Sequence, residues 1–243
     1  LGFQVELFWL GEKSPALTRK RLAQVLQARG IAGVVLLPFN TAQDLSDFDF
    51  TSLSVVQMDH CLLAPRLHTV LPEHYMSMRA ALGELFRRGY RRIGLCLEER
   101  KDARLRYKWT AGYESFARDH PSGVTTPPLL RPELTPREVV RWYRQNRPDV
   151  VVGHLPSIID WLHAAGVGRS RAIGFFNLNL TESPRPCAGF DLGPRRLAAA
   201  AIETVVAMLH RQEQGVPAYP QTITIEAEWV DGPTLVQHPL SGL

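Results

Sequence analysis

What most limits how this chain can fold is a recurring pair: an amphipathic helical stretch that stops at a glycine, followed by a short run that is apolar throughout. Pro15 to Arg29 carries Leu17, Leu22, Val25 and Leu26 at helical spacing and stops at Gly30; Gly33-Val-Val-Leu-Leu-Pro38 then follows. A strand that is apolar on both faces must be covered on both, which is the situation of a parallel sheet flanked by helices. With Phe3 to Leu10 read as a strand, the opening of the chain is a strand, helix, strand unit.

The pattern continues along the chain. Leu53 to Met58 and His68 to Leu71 read as strands, Tyr75 to Arg88 as a helix closed by Gly89, and Arg92 to Leu97 as a strand. A second series follows: Trp109 to Asp119 helical, Val124 to Leu130 extended, Pro136 to Gln145 helical, Val150 to Gly153 a buried strand, Ser157 to Ala165 a helix stopped by Gly166, and Ala172 to Phe176 a strand. Near the end, Arg195 to Gln214 forms a long helix stopped by Gly215. Gln221 to Trp229 then alternates as one strand, with Ile223, Ile225 and Ala227 on one face. The fold class this predicts is α/β, in two doubly wound parallel-sheet lobes. The expected divisions are an N-terminal lobe over 1–98, a C-terminal lobe over 99–191, and a crossover helix with strands returning to both lobes over 192–243.

Composition narrows the function classes. The 243 residues are 45% hydrophobic, ordinary for a globular protein and enough for one large core or two linked ones. The longest apolar run, Ile31 to Leu37, falls far short of the about 18 residues a membrane helix needs, so no membrane association is expected. The net charge is +4, and the 28 basic residues are spread out, densest at Arg87, Arg88, Arg91 and Arg92; this segment by itself does not read as a nucleic-acid surface. Cys61, Cys96 and Cys187 are odd in number and form no CxxC pair. With no leader pattern in residues 1 to 20, they point to a reducing cytoplasm. No GxSxG, HExxH or P-loop motif occurs, and His60, His68 and His74 lack metal-ligand spacing, so neither an enzyme nor a metal or other cofactor is expected.

Six segments, in order, resemble one family. They are "ARGIAGVVLLP" at 28 to 38, "LGELFRRGYRRIGL" at 82 to 95, "AGY" at 111 to 113, "RPDVVV" at 147 to 152, "RAIGFFN" at 171 to 177 and "ITIEAEWVDGPTL" at 223 to 235. Together they are similar to the effector-binding domain of lactose-repressor and galactose-repressor regulators. The resemblance implies a periplasmic-binding-protein-like type I fold whose lobes are joined by a three-crossing hinge, with a small effector, a carbohydrate first of all, in the interlobe cleft. It also implies a homodimer, and operator DNA bound through an N-terminal head that this chain does not contain. Effector binding would shift DNA affinity through a population shift between lobe arrangements. The other reading is a solute-binding protein of a sugar transporter, which shares the fold. Family members also carry a strand and helix ahead of the segment matching Phe3 to Leu10. A sheet lacking its central strand exposes unpaired backbone, so roughly thirty further domain residues are expected upstream.

The resemblance places candidate ligand contacts at strand ends. Trp109 falls where relatives carry an arginine that grips sugar hydroxyls, and Arg106 lies one helical turn before it. His154 follows the strand Val150 to Gly153, Phe176 and Asn177 end the next, and Asp59 and Asp191 are further candidates; Glu73 and His74 rank below these. An indole face suits the apolar side of a sugar ring, and a guanidinium suits its hydroxyls. Each residue also has a plain structural alternative: a core anchor for Trp109 and Phe176, a solvated residue for Arg106, a satisfied histidine for His154, a turn or cap for Asn177, Asp59 and Asp191.

Overall fold

A computed structural model describes residues 3–10, 17–39, 41–120, 124–167, 172–183 and 186–235. The elements in chain order begin with α1 (Arg19–Ala28), β1 (Gly33–Leu36), β2 (Gln43–Asp44), β3 (Ser54–Met58), β4 (Leu62–Ala64), β5 (His68–Glu73) and α2 (His74–Arg87). They continue with β6 (Ile93–Glu98), α3 (Glu99–Arg104), α4 (Lys108–Asp119), β7 (Leu129–Arg131), α5 (Pro136–Asn146), β8 (Val150–Gly153) and α6 (Ser157–Ala164). Last come β9 (Gly174–Asn177), a single 3-10 turn at Leu180–Glu182, β10 (Ala188–Asp191), α7 (Pro194–His210), β11 (Thr222–Glu226) and β12 (Glu228–Val230). The glycines expected to stop α1, α2 and α6 do so: Gly30, Gly89 and Gly166 take φ of 64°, 95° and 77°, a left-handed conformation that costs a side-chain-bearing residue energy.

The elements divide into two compact units. One comprises Leu1–Leu71 with Arg195–Thr224, the other Pro72–Pro194 with Ile225–Leu243, so the chain passes between them three times. The first unit holds a sheet of order β1-β3-β5-β11 and a small β2-β4 pair; the second holds a six-stranded sheet of order β12-β10-β9-β8-β6-β7. In the larger sheet every pairing from β10 to β7 is parallel, and only β12 runs antiparallel. The expectation of doubly wound α/β architecture holds.

The second unit shows why its strands are apolar throughout. Ile93, Leu95, Leu97, Val150, Val152 and Phe176 point to one face, where Met78, Leu82 and Leu85 of α2 and Trp109, Tyr113 and Phe116 of α4 cover them. Cys96, Val151 and Phe175 point to the other, against Val139 and Trp142 of α5 and Ile158, Ile159 and Leu162 of α6. Successive strand residues thus serve two cores, and neither face can be polar. In the first unit, α1 contributes Leu26 to a core with Leu53, Val55 and Leu67.

Three expectations need correction. Phe3 to Leu10 is not a strand: only Leu10 makes a bridge, to Leu17, and while Phe8 and Leu10 pack on the first unit's core, Phe3, Val5, Leu7 and Trp9 are exposed. A period-two pattern needs a partner strand before it becomes a ladder, and none lies beside it among the described residues. The helix predicted from Pro15 begins at Arg19, with Thr18 Oγ1 accepting from the Arg21 N–H; Pro15 itself lies outside the described residues. The run Gln221 to Trp229 is two strands, β11 paired with β5 and β12 paired with β10, broken at Ala227.

The lobe boundary expected at 98 falls instead between Leu71 and Pro72, and residues 72–98 belong to the second unit. The physical reason is that β5 runs directly into α2, whose buried face packs on the larger sheet, while β6 pairs with β7 and β8. In sequence, a strand followed by a helix looks like one repeat; here it is a passage between units.

Candidate functional site

In the second unit the parallel strands β6, β8 and β9 end together. Cys96 pairs with Gly153, and Gly153 with Asn177, so Glu98, His154 and Asn177 are placed along one carboxyl edge. All three are buried, at 6%, 7% and 0% exposure. The carboxyl edge of a parallel sheet is where α/β folds place ligands, because the loops leaving it are free to vary while the strands hold them rigid.

Trp109 stands over this edge from the first turn of α4. Its ring stacks on His154, with centroids 6.2 Å apart and planes at 26°, and meets His74 edge-on at 5.5 Å. His154 Nε2 lies 3.5 Å from Glu98 Oε2. The indole therefore meets two imidazoles, one of which also contacts a carboxylate.

An uncommon cap holds that turn in place. Arg106 and Tyr107 both adopt left-handed φ, of 56° and 58°, and Tyr107 at the start of α4 supplies no side-chain cap. Asp102 supplies it from α3: its carboxylate accepts from the Trp109 N–H at 3.2 Å and from the Thr110 hydroxyl. Asp102 is 1% exposed, and burial pushes its carboxyl above the ordinary range, opposed by those hydrogen bonds from Thr110 and Trp109. A buried carboxylate is retained where donors satisfy it, and here those donors are a backbone N–H in the first turn of a helix and the hydroxyl of the next residue.

The structure sorts the remaining candidates. Asn177 Oδ1 accepts from the Asn179 N–H at 3.1 Å, while Nδ2, fully buried, has no hydrogen-bond partner among the described residues. The Phe176 ring lies in the core, stacked on Trp229 at 4.3 Å and against Phe190 at 4.9 Å, because strand alternation turns it away from its neighbour Asn177. Arg106 is exposed in the left-handed turn before α4. Asp191 closes a local turn, accepting from the Gly193 N–H at 2.8 Å. Asp59 belongs to the first unit, at φ 57° after β3, and its N–H donates to the Val70 carbonyl. Glu73 caps α2, accepting from the N–H groups of Tyr75 and Met76, and His74, ranked low from sequence, turns out to touch Trp109.

Two carboxylates at the site, Glu98 and Asp102, escaped the sequence reading. They sit in Glu98-Glu99-Arg100-Lys101-Asp102, which has the composition of a solvated helical face. The available signal was positional: Glu98 ends an otherwise apolar strand. Among the described residues no group of His, Cys, Asp and Glu is placed to hold a metal ion, and no helix is long and apolar enough to cross a membrane.

No family model and no curated protein sequence matches the chain. Solved structures do. A LacI transcriptional regulator from Lactobacillus brevis is 17% identical, with 87% of this chain and 83% of that one covered at a TM-score of 0.62. A LacI-family transcriptional regulator from Enterococcus faecium with bound ribose is 11% identical, with 90% and 84% covered at 0.61. A periplasmic binding protein/LacI transcriptional regulator from Alkaliphilus metalliredigens, complexed with D-xylulofuranose, is 14% identical, with 90% and 82% covered at 0.60. The chain shares the fold of these regulators over most of its length.

Proposed function

We propose that this chain is the ligand-sensing domain of a transcription regulator, taking a small carbohydrate at the carboxyl edge of the six-stranded sheet and converting its binding into a shift in DNA affinity. The observation that carries the reading is the buried group on that edge: an indole, two imidazoles, a carboxylate and a carboxamide within one unit. In this reading the set binds a ligand. An aromatic face covers the C–H side of a sugar ring, while the carboxylate accepts from hydroxyls and the amide nitrogen donates to them. Two of the similar structures are themselves complexes with a pentose or ketopentose, which supports the choice of ligand class. In this reading the protein acts in the cytoplasm as a homodimer, with operator DNA held by a separate head.

The first test is a thermal-shift titration of the purified chain against ribose, xylulose, cellobiose, sugar phosphates and nucleobases. A ligand that binds only the folded state raises the melting temperature by mass action, by about 2.7 kcal/mol of stabilisation at a hundredfold excess over Kd. The expected result is a saturable shift with a carbohydrate that is lost in Trp109→Ala. A folded protein that responds to none of them overturns the reading. Sedimentation at micromolar concentration tests the dimer, and a monomer there refutes it.

A further inference from the structure

We infer that Glu98 is a specificity-determining residue of the proposed effector site: it accepts a hydrogen bond from a ligand hydroxyl and excludes anionic ligands. The inference rests on the sensing function proposed above.

Glu98 is the last residue of β6, and its side chain is 8% exposed. Its carboxylate has two ion-pair contacts, His154 Nε2 at 3.5 Å and the guanidinium of Arg100 at 3.7 Å, the latter on a side chain 72% exposed. An ionised carboxylate offers about four acceptor positions, and those of Glu98 take no hydrogen bond from the described residues. Asp102 shows the contrast within the same unit: equally buried, it is filled by a backbone N–H and a hydroxyl. Asp102 caps a helix through hydrogen bonds, whereas Glu98 is held, among the described residues, only by the two longer ion-pair contacts with His154 and Arg100.

The strand end two places along the same edge carries a complementary group. Asn177 Nδ2 is a buried donor with no partner among the described residues, one strand beyond His154 on the same edge. With β8 between them, an acceptor at one strand end and a donor at the other suit a ligand that carries several hydroxyls, since each hydroxyl can donate or accept. An ammonium has nothing to accept with, and a phosphate dianion or a carboxylate has nothing to donate. An anion also meets the Glu98 charge in a poorly hydrated setting, where like charges repel strongly. A buried polar group left unpaired by the wrong ligand is the strongest source of discrimination a binding site has.

The test uses ribose and cellobiose, each beside its phosphorylated form, with the full chain and the variants Glu98→Gln and Glu98→Ala. Glu98→Gln preserves shape and one acceptor oxygen, and circular dichroism checks that it folds; exposed Glu133→Gln is the control. A neutral sugar is expected to bind the parent chain and its phosphate not to. Affinity should fall by at least about tenfold in Glu98→Ala and less in Glu98→Gln, with the phosphorylated sugar gaining affinity in Glu98→Gln. A neutral sugar that binds the parent chain and Glu98→Ala equally refutes the role of Glu98 while leaving the sensing function standing. A phosphorylated sugar preferred by the parent chain refutes it too. If neither class binds, both the inference and the function beneath it fall.

Discussion

Strands β1 and β8 are nearly the same peptide, Gly-Val-Val-Leu and Val-Val-Val-Gly, yet one is half-buried along its whole length and the other entirely buried. Composition cannot account for this. β8 has β6 on one side, β9 on the other and helices on both faces; β1 has β3 on one side and no second strand among the described residues. β11, at the opposite end of that smaller sheet, is also mostly exposed in spite of its alternating Ile223 and Ile225. The contrast teaches that an apolar run specifies a strand, while its place in the sheet order decides what that strand is worth.

Paired truncations break or sharpen the contrast. Val151→Ala in β8 removes two methyl groups from a site with no exposure and is expected to cost about 2 kcal/mol in urea denaturation, from lost transfer energy plus a cavity. Val35→Ala in β1 is expected to cost less than about 1 kcal/mol, because water already reaches the site. Equal costs would mean that β1 is covered by something outside the described residues.

A smaller effect separates the two buried carboxylates' surroundings from the strands. Burial raises the Asp102 carboxyl above its ordinary value, so the folded state disfavours its charge. The penalty is absent below the unfolded pKa, where the carboxyl is protonated in both states, and grows as pH rises to the folded one. The stability of the parent chain relative to Asp102→Asn should therefore improve as pH falls toward 4 and decline above it. A flat difference between pH 3.5 and 7 would show that the hydrogen bonds from Thr110 and Trp109 cancel burial, and a difference that grows with pH would show that they outweigh it.

The smallest expected effect lies on the surface of the second unit, where the Arg88 guanidinium bonds Asp231 at 2.5 Å, pairs with Glu84 and covers the Trp229 ring. The Asp231 carboxyl is held below the ordinary range, chiefly by the Arg88 hydrogen bond. Asp231→Asn is expected to change stability by less than about 1 kcal/mol, fading in high salt. A loss of the size expected for Val151→Ala would mark this pair as structural.

Most of the fold was legible because its elements announce themselves locally: glycine stops, apolar strands and helical spacing need only their own residues. What could not be read depends on partners. Phe3 to Leu10 has the alternation of a strand without the neighbour that would make it one. The passage at Leu71 and the break at Ala227 are decided by which sheet each stretch pairs with, a choice absent from the local sequence. Of the proposed site, Trp109, His154 and Asn177 could be singled out as strand-end and helix-start positions, and all three fall in one unit. Asp102 and Glu98 could not be, because a charged pentapeptide looks the same whether its carboxylates meet water or a helix end seven residues on.

The alternation through β8 has a genetic corollary. Val150 and Val152 belong to one core and Val151 to the other, so deleting a single codon within the strand would send each following side chain to the opposite layer and set His154 on the wrong side of Gly153. The same strand should accept exchanges among Val, Ile and Leu far more readily than any change of length. A deep insertion and deletion scan of the coding sequence should therefore show its sharpest gap across β8, well before any screen identifies the ligand.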